Sequence, residues 1–174
     1  IAAPGVNIFS ALVQSGNQGQ SLNGTSMAAP HVAGVMALLR QIHPDWSVAE
    51  LTALAMNTAD KDVRTAAAAD PQSLEPSRIG AGRVDVPSAA AGSVIAFDTA
   101  RPSNVSVSFG NVEVVTTQTL TRTVTVLNKG NASATLDVGY APAATIPGVS
   151  YSVSPTSLTL AAGASASVTV MLTA

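Results

Sequence analysis

A serine lies at the start of a long apolar stretch, where a helix would place it beside free backbone N–H groups. Ser26 follows Gly24 and Thr25, and from Met27 to Leu39 nearly every residue is apolar or small. The first turn of a helix leaves its N–H groups unpaired, and the helix dipole favours negative charge there. Such a position suits a nucleophilic serine and part of an oxyanion hole. It equally suits a serine N-cap on a buried helix.

The two histidines of the chain are the candidates for a base that would activate this serine. His31 comes five residues after Ser26 on the same helix, which is a poor position for a base that must reach the hydroxyl within hydrogen-bond distance. His43 precedes Pro44 and is expected to be an exposed residue at the helix end. A serine without its base is a weak nucleophile. The 174 residues by themselves are therefore expected to be catalytically inactive.

The composition excludes several classes of function. Charged residues make up 10% of the chain and the net charge is −2, so there is no electrostatic case for nucleic acid or an anionic membrane surface. The absence of cysteine excludes disulfides and thiolate metal sites. Aromatic residues make up 3% of the chain. The β-sandwich predicted below is expected to show no aromatic patch that would argue for carbohydrate. No apolar run reaches the length of a membrane span, and no signal peptide is visible.

A metal site is considered at three aspartates. Asp60, Asp62 and Asp70 lie in one loop, and carboxylates are preferred ligands of calcium. Loop aspartates are as readily explained as ordinary solvated side chains. We therefore predict neither a metal ion nor a cofactor.

Helix signals surround the serine. The first helix is expected to begin near Ser26, to carry Pro30 in its opening turn and to stop at Pro44. Because its residues are apolar on all sides, a buried helix is expected, and Gly34 suggests close packing against a neighbour. Ahead of this helix, residues 6–12 predict a short buried strand followed by a loop over residues 14–20.

Two further helix starts are marked by capping residues. Ser47 and Glu50 have the spacing of a capping box, which predicts a second helix with an apolar face. Asp85 can cap a short helix that continues to Ala91 and ends at Gly92.

From about residue 93 the pattern changes from helical to alternating. Five segments alternate β-branched or apolar residues with polar ones, and turn-forming sequences such as Asn128–Asn131 separate them. Several short strands with regular turns indicate a β-sandwich. The alternating residues are Val105, Val107 and Phe109; Val124, Val126 and Asn128; Leu136 and Val138; Leu158 and Leu160; and Val168, Val170 and Leu172.

The segment from Asn23 to Gly34, which reads Asn-Gly-Thr-Ser-Met-Ala-Ala-Pro-His-Val-Ala-Gly, closely resembles the nucleophile motif of the subtilisin-like serine proteases. Residues 1–8 resemble the Ala-Pro-Gly strand segment that precedes this motif in the family, and residues 80–85 resemble the closing turn. The pattern of residues 94–174 resembles the fibronectin-III-like domain appended to many larger secreted subtilases. The expected fold is therefore a partial α/β subtilisin-like segment, residues 1–92, followed by an all-β fibronectin-III-like sandwich, residues 93–174, which need not be complete.

The resemblance assigns roles to five residues of the motif. Ser26 is implied to be the nucleophile, and its backbone N–H is implied to donate to the oxyanion. Thr25 would line the same pocket, while Asn23 and Gly24 would shape the loop near bound substrate. Met27 would lie beside the nucleophile, in a position sensitive to oxidation.

The rest of the family's catalytic apparatus is not in this sequence. The aspartate segment, the His-Gly-Thr-His segment and the asparagine that donates to the oxyanion lie upstream of the motif in the family. The resemblance thus implies the C-terminal part of a secreted or cell-surface endopeptidase with protein or peptide substrates, whose histidine and aspartate belong to an N-terminal part absent here. The alternatives are a pseudo-protease or adhesion module that has lost those residues, and a binding module formed by residues 94–174 alone.

Overall fold

A computed structural model describes residues 1–61, 63–64, 76–142 and 145–174 of the chain, which is a mixed α/β structure with antiparallel sheets. The first of its two units comprises residues 1–46 and 58–90, and the second comprises residues 47–57 and 91–174. Asp62 and Asp70, two of the three aspartates considered as calcium ligands, lie outside the described residues. The proposed division of the sequence after residue 92 into a peptidase part and a fibronectin-III-like domain stays a prediction.

The first unit begins with a hairpin. Strands β1 (Ile8–Ala11) and β2 (Gly19–Leu22) pair antiparallel, with Ile8 opposite Leu22 and Ala11 opposite Gly19. Most of the hairpin is exposed, and the side chain of Phe9 is 72% exposed. The prediction of a buried strand is therefore wrong, because a hairpin of two strands has too few neighbours to enclose its side chains.

Helix α1 (Thr25–Ile42) begins and ends where the sequence predicts. Its N-cap is Gly24 and no side chain caps it, so the interpretation of Ser26 as the N-cap is wrong. Pro30 is the sixth helical residue and lies one turn further into the helix than expected. Since proline has no N–H, the carbonyl of Ser26 lacks the donor that an i+4 residue normally provides.

The expected burial of α1 is also wrong in this chain. Of its eighteen residues, Val35 and Leu39 are buried, whereas Leu38 and Ile42 are each 48% exposed. A Cβ placed on Gly34 would have no described atom within 4 Å, so the close packing predicted at this glycine does not occur here. An apolar sequence specifies which side chains favour burial, but burial itself requires elements that cover them.

The closing turn of the first unit is held by backbone pairing. Arg83 exchanges two backbone hydrogen bonds with Asp60, with N–O distances of 2.8 and 2.7 Å. On its other side, Ala2 donates to the carbonyl of Gly82 at 2.7 Å and accepts from Val84 N–H at 2.9 Å. A Cβ at Gly82 would lie 2.4 Å from the carbonyl oxygen of Asp60, so this position must be glycine for the strands to approach.

Two short helices flank this turn. Helix α3 spans Pro76–Ile79 and helix α4 spans Val86–Ala91. Asp85 caps α4, because its Oδ1 accepts the N–H of Ser88 at 3.0 Å. The prediction of an aspartate-capped helix that ends at Ala91 is confirmed.

The second unit consists of one helix and two antiparallel sheets. The larger sheet has the strand order β3-β4-β8-β6, and the smaller sheet pairs β5 with β7. Buried side chains from both sheets form one apolar cluster, consisting of Val126, Leu158, Leu160 and Val168. The elements are α2 (Val48–Asn57), β3 (Val94–Asp98), β4 (Thr119–Asn128), β5 (Ala134–Asp137), β6 (Ser150–Ser154), β7 (Ser157–Leu160) and β8 (Ser165–Thr173).

Four of the five alternating segments lie on strands β4, β5, β7 and β8, although Val138 comes directly after the end of β5. The fifth, residues 105–109, is not part of a strand, so that prediction is wrong. Its side chains alternate between half-buried and exposed, as the pattern predicts. Val105 and Val107, however, form no backbone hydrogen bond with a residue that the structure describes. The alternation of apolar and polar residues determines which side chains point inwards. A β-strand also needs a neighbouring strand with which its backbone can form hydrogen bonds.

Helix α2 is joined to the sheets by polar contacts at both of its ends. The capping box is confirmed, with Ser47 N–H donating to Glu50 Oε2 at 2.7 Å and Glu50 N–H donating to Ser47 Oγ at 3.3 Å. The other carboxylate oxygen of Glu50 accepts from Lys129 Nζ, just beyond the end of β4. At the far end of the helix, Asn57 Oδ1 accepts the N–H of Ala96 on β3 at 2.7 Å.

We expect the Glu50 carboxylate to make the second unit sensitive to acid. Partial burial acts to raise the pKa of Glu50, but hydrogen bonds from Lys129 and Ser47 outweigh it and hold the pKa below its ordinary value of 4.5. A lowered pKa in the folded state stabilises the fold above the unfolded-state pKa, and this contribution is lost as pH falls through the folded-state pKa. Glu50→Gln should therefore lower the free energy of unfolding by about 1 kcal/mol at pH 7 and have less effect at pH 3.

The measurement is urea unfolding of both proteins at pH 7 and pH 3. Glu113→Gln is the matched control, since Glu113 makes no ion pair with a residue that the structure describes. An equal loss at both pH values would contradict an ionised Glu50 as the source of the effect.

Candidate active site at the start of helix α1

The first turn of α1 presents Ser26 with unpaired polar groups. Gly24 adopts φ = 142°, which favours glycine, and its carbonyl accepts from the N–H groups of Met27 at 3.0 Å and Ala28 at 3.4 Å. Ser26 is the second residue of the helix. Neither its hydroxyl nor its N–H bonds to a residue that the structure describes. Both groups are therefore available to a ligand at the positive end of the helix dipole.

An open cavity of ≈ 330 Å³ lies beside this turn. It is lined by three consecutive residues of β1 and by residues from the first turns of α1. Of the residues singled out from the sequence, it brings together Ser26, Met27 and His31. The lining residues are Ile8, Phe9, Ser10, Ser26, Met27, Pro30 and His31.

Neither histidine is placed as the base of Ser26. His31 Nδ1 donates to the carbonyl of Met27 at 2.8 Å, because a carbonyl can only accept, and no hydrogen bond joins His31 to Ser26. His43 is the C-cap of α1, about 25 Å along the helix from Ser26 at 1.5 Å per residue. Within the described residues, the serine thus has no side chain that would take its proton.

His43 is half-buried rather than exposed, which corrects the expectation from the sequence. Its ring stacks on Trp46 with a centroid distance of 4.2 Å, and its Nε2 is buried without a hydrogen-bond partner among the described residues. The stacking explains the difference, because the indole ring covers a face of the imidazole that would otherwise meet solvent.

The loop that precedes the first turn of α1 is held by hydrogen bonds to residues 5–7. Asn23 Oδ1 accepts the N–H of Asn7 at 2.6 Å, and Gly24 N–H donates to the carbonyl of Gly5 at 2.8 Å. Asn7 has φ = 54°, in the left-handed region. Asn7 and Gly5 are not among the site residues that the sequence predicts. Their segment carries a signal only through its likeness to the Ala-Pro-Gly strand of the family.

The second unit contains a separate aromatic cluster. Phe109, Tyr140 and Tyr151 come together, with ring centroid distances of 6.1 Å for Phe109 to Tyr151 and 4.9 Å for Tyr140 to Tyr151. The guanidinium of Arg122 lies 5.4 Å from the centroid of Phe109. These rings line an open cavity of ≈ 530 Å³. The expectation of no aromatic patch is therefore wrong, because rings distant in sequence converge even when they are rare in the composition.

Metal ligands do not gather in the part of the chain that the structure describes. No group of three or more histidine, aspartate or glutamate side chains there is arranged to hold an ion. Among the described helices, none combines the length and the apolar character that crossing a bilayer requires.

Residues 1–82 match the family model Peptidase_S8, described as the subtilase family. Over 59 residues the chain is 52% identical to M-protease of Shouchella clausii, a match that covers 34% of this chain and 15% of that protein. It is 51% identical over 59 residues to Subtilisin BL of Lederbergia lenta, covering 34% and 21%. It is 51% identical over 61 residues to Subtilisin-like protease SBT3.17 of Arabidopsis thaliana, covering 35% and 8%.

The matched part of the chain spans no more than about a fifth of the length of these relatives. Their names describe proteases and a subtilisin, and the matching residues of this chain include the segment that carries Ser26. The first 82 residues of this chain are thus similar in sequence to part of a subtilase domain.

Proposed function

We propose that this chain is part of a subtilisin-like serine endopeptidase in which Ser26 attacks the peptide bond. The observation that carries the proposal is the position of Ser26 in the exposed first turn of α1, where its hydroxyl and its N–H make no hydrogen bond with any described residue. The family match over residues 1–82 supports it. The substrates are proteins or peptides, and no cofactor takes part.

The reaction that follows from this arrangement is acyl transfer to water. Ser26 Oγ attacks the carbonyl carbon while a general base takes the hydroxyl proton, and the N–H of Ser26 donates to the developing oxyanion. The amine then leaves with a proton from the same base, and water hydrolyses the acyl-enzyme. Thr25 lines the oxyanion pocket, Asn23 and Gly24 shape the loop near the bound substrate, and Met27 lies beside the nucleophile.

The base and the aspartate that orients it come from a part of the longer protein outside these 174 residues. The positions of the two histidines support this proposal, since His31 is bonded to the carbonyl of Met27 and His43 lies at the far end of α1. The 174-residue chain alone is therefore inactive, since a serine without a base is a weak nucleophile.

Labelling with a fluorophosphonate tests this assignment, because the reagent modifies only a serine that a base has activated. We expect peptide mass spectrometry to find the label on Ser26 in the longer protein and no label in the 174-residue chain. Labelling of the chain alone would show that a base is present here after all. A folded longer protein that resists labelling would favour a pseudo-protease or an adhesion module.

We also propose that the missing part of the peptidase domain covers α1. In the present chain Leu38 and Ile42 are each 48% exposed, and Val13 is 82% exposed, which is unfavourable for large apolar side chains.

The protein is secreted or displayed on the cell surface, by analogy with its relatives. The second unit then acts as an accessory domain that stabilises the protease or helps to position substrates.

Gly34→Ala distinguishes a covered α1 from an exposed one. In the 174-residue chain the new methyl group meets no described atom, so the substitution should stabilise the helix by up to about 1 kcal/mol. In the longer protein a covering element would meet the methyl group, and we expect a loss of about 1–3 kcal/mol. Thermal unfolding of both variants against their parents measures the sign of each change. Stabilisation in both proteins would contradict the proposed cover.

A further inference from the structure

We propose that the hydrogen bond between Asn7 and Asn23 is a positioning contact for the nucleophile, so that Asn23 acts on the reaction through Ser26. This inference rests on the proposed function of Ser26. The resemblance to subtilases implies only that Asn23 shapes the loop, and the contact adds a role for Asn7 and for the amide oxygen of Asn23. Neither residue donates to or accepts from the reacting atoms in this role.

The contact is short and its chemistry is unambiguous. The backbone N–H of Asn7 can only donate, so the atom of Asn23 that lies 2.6 Å from it must be the amide oxygen. Asn7 holds φ = 54°, a conformation that asparagine tolerates better than most residues. A non-glycine residue in this region is retained where its surroundings require it. Here the left-handed backbone accompanies an N–H that is bound by Asn23.

A second contact lies directly beside the first. Gly24 N–H donates to the carbonyl of Gly5 at 2.8 Å, and a Cβ on Gly5 would lie 2.8 Å from the carbonyl oxygen of Gly24. The two backbones are therefore in direct contact. Residues 5–7 thus hold residues 23–24 through two hydrogen bonds. The backbones of Gly5 and Gly24 also touch, because neither residue has a side chain between them.

The constrained residues are those that start helix α1. The carbonyl of Gly24 accepts from Met27 N–H at 3.0 Å and from Ala28 N–H at 3.4 Å, which closes the first turn around Ser26. A shift of Asn23 would therefore move Gly24, the start of the helix and the hydroxyl of Ser26 together. Misplacement of a reacting group by about 1 Å can cost a hundredfold in rate.

Loss of the contact should lower kcat and leave substrate binding in place. In the longer protein, Asn23→Ala is expected to reduce kcat by about ten- to a hundredfold, with KM within about twofold of the parent. Asn23→Asp keeps an oxygen acceptor for Asn7 and should recover most of the lost kcat. Asn17→Ala is the matched control, because Asn17 is an exposed asparagine at the hairpin tip and lies outside the site.

A second measurement follows the contact without reference to activity. Hydrogen exchange of the Asn7 amide in the 174-residue chain should accelerate at least about tenfold in Asn23→Ala, since the N–H loses its acceptor. Asn17→Ala and Asn23→Asp should leave it slow. An unchanged Asn7 exchange rate in Asn23→Ala would overturn the proposal.

The kinetic outcomes separate the alternatives. An unchanged kcat in Asn23→Ala overturns the positioning role, and so does a raised KM with kcat preserved, which would make Asn23 a substrate contact. A fall in kcat that Asn23→Asp does not recover also overturns it. Failure of the proposed function itself is recognised in the parent protein, which would then neither cleave peptides nor take the fluorophosphonate label.

Discussion

Replacing Ser26 with alanine in the longer protein is expected to lower kcat for peptide hydrolysis by at least about a thousandfold. The hydroxyl forms the bond to the acyl group, so its removal leaves only attack by water on a bound substrate. The backbone N–H of residue 26 remains at the start of α1 in the variant, and some stabilisation of the oxyanion is retained with it. A loss of this size is typical of serine proteases, subtilisin among them, that lack their nucleophile.

The matched control for this prediction is Ser10→Ala. Ser10 lines the same cavity as Ser26, but it lies on β1, where its backbone pairs with Gln20 and no helix start lies beneath it. We expect its removal to change kcat by less than about threefold. Stopped-assay kinetics on a peptide substrate, with folding checked by circular dichroism, measures both variants. Retained hydrolysis in Ser26→Ala would assign the reaction to another nucleophile.

The second large effect is expected at Asn128, whose substitution by alanine should destabilise the second unit by about 3 kcal/mol. The side chain is 1% exposed and lies at the end of β4. Its Nδ2 donates to the carbonyls of Ala132, Leu160 and Ala161 at 2.8, 3.1 and 3.1 Å. Its Oδ1 accepts the N–H of Gly130 at 2.9 Å.

One amide therefore ties the turn after β4 to the end of β7. Truncation to alanine removes the described partner of the Ala132 carbonyl and of the Gly130 N–H. The carbonyls of Leu160 and Ala161 each lose one donor and keep another, Ser133 Oγ and Ala164 N–H. A buried polar group that loses its hydrogen bond costs about 1–3 kcal/mol. Asn128→Asp should be at least as destabilising at pH 7, because a carboxylate has no N–H to donate and would be buried with its charge.

Asn131→Ala is the control, since Asn131 is an exposed asparagine in the same turn, and its effect should stay within about 0.5 kcal/mol. Hydrogen exchange of the β4 and β8 amides is the appropriate measurement, because these strands belong to the second of the two units and report on its stability directly. Equal effects of Asn128→Ala and Asn131→Ala would mean that the buried amide contributes no more than a surface one.

Local signals in the sequence correctly identified several elements. Pro44 marks the end of α1, and the pair of Ser47 and Glu50 marks the start of α2, because the capping hydrogen bonds form within four residues. Asp85 predicts α4 for the same reason. Four alternating segments were identified as strands, since a period of two places their apolar side chains on one face.

The sequence also predicts a nucleophile, and that assignment stays a prediction. Ser26 stands out through the motif around it, which depends on consecutive residues. Its environment was not predicted, because Asn7 and Asn23 are 16 residues apart and the N-cap proved to be Gly24. The conformation of Gly24 and the approach of Gly5 are properties of two backbones that meet, and neither segment indicates them alone.

Other features were decided only by tertiary structure, because they depend on partners that are distant along the chain. Glu50 forms a hydrogen bond with Lys129, which is 79 residues further along the chain. This contact helps to place α2 in the second unit, although α2 comes soon after α1 in the sequence. Asn128 looked like one more residue of an alternating strand, yet its amide is the buried link between two turns. Local sequence determines what a segment of this protein can form, since helix caps and strand faces are set within a few residues. The tertiary structure decides which side chains are buried and which hydrogen-bond partners they find. It also decides the geometry of the first turn of α1, because these features depend on which distant segments pack together.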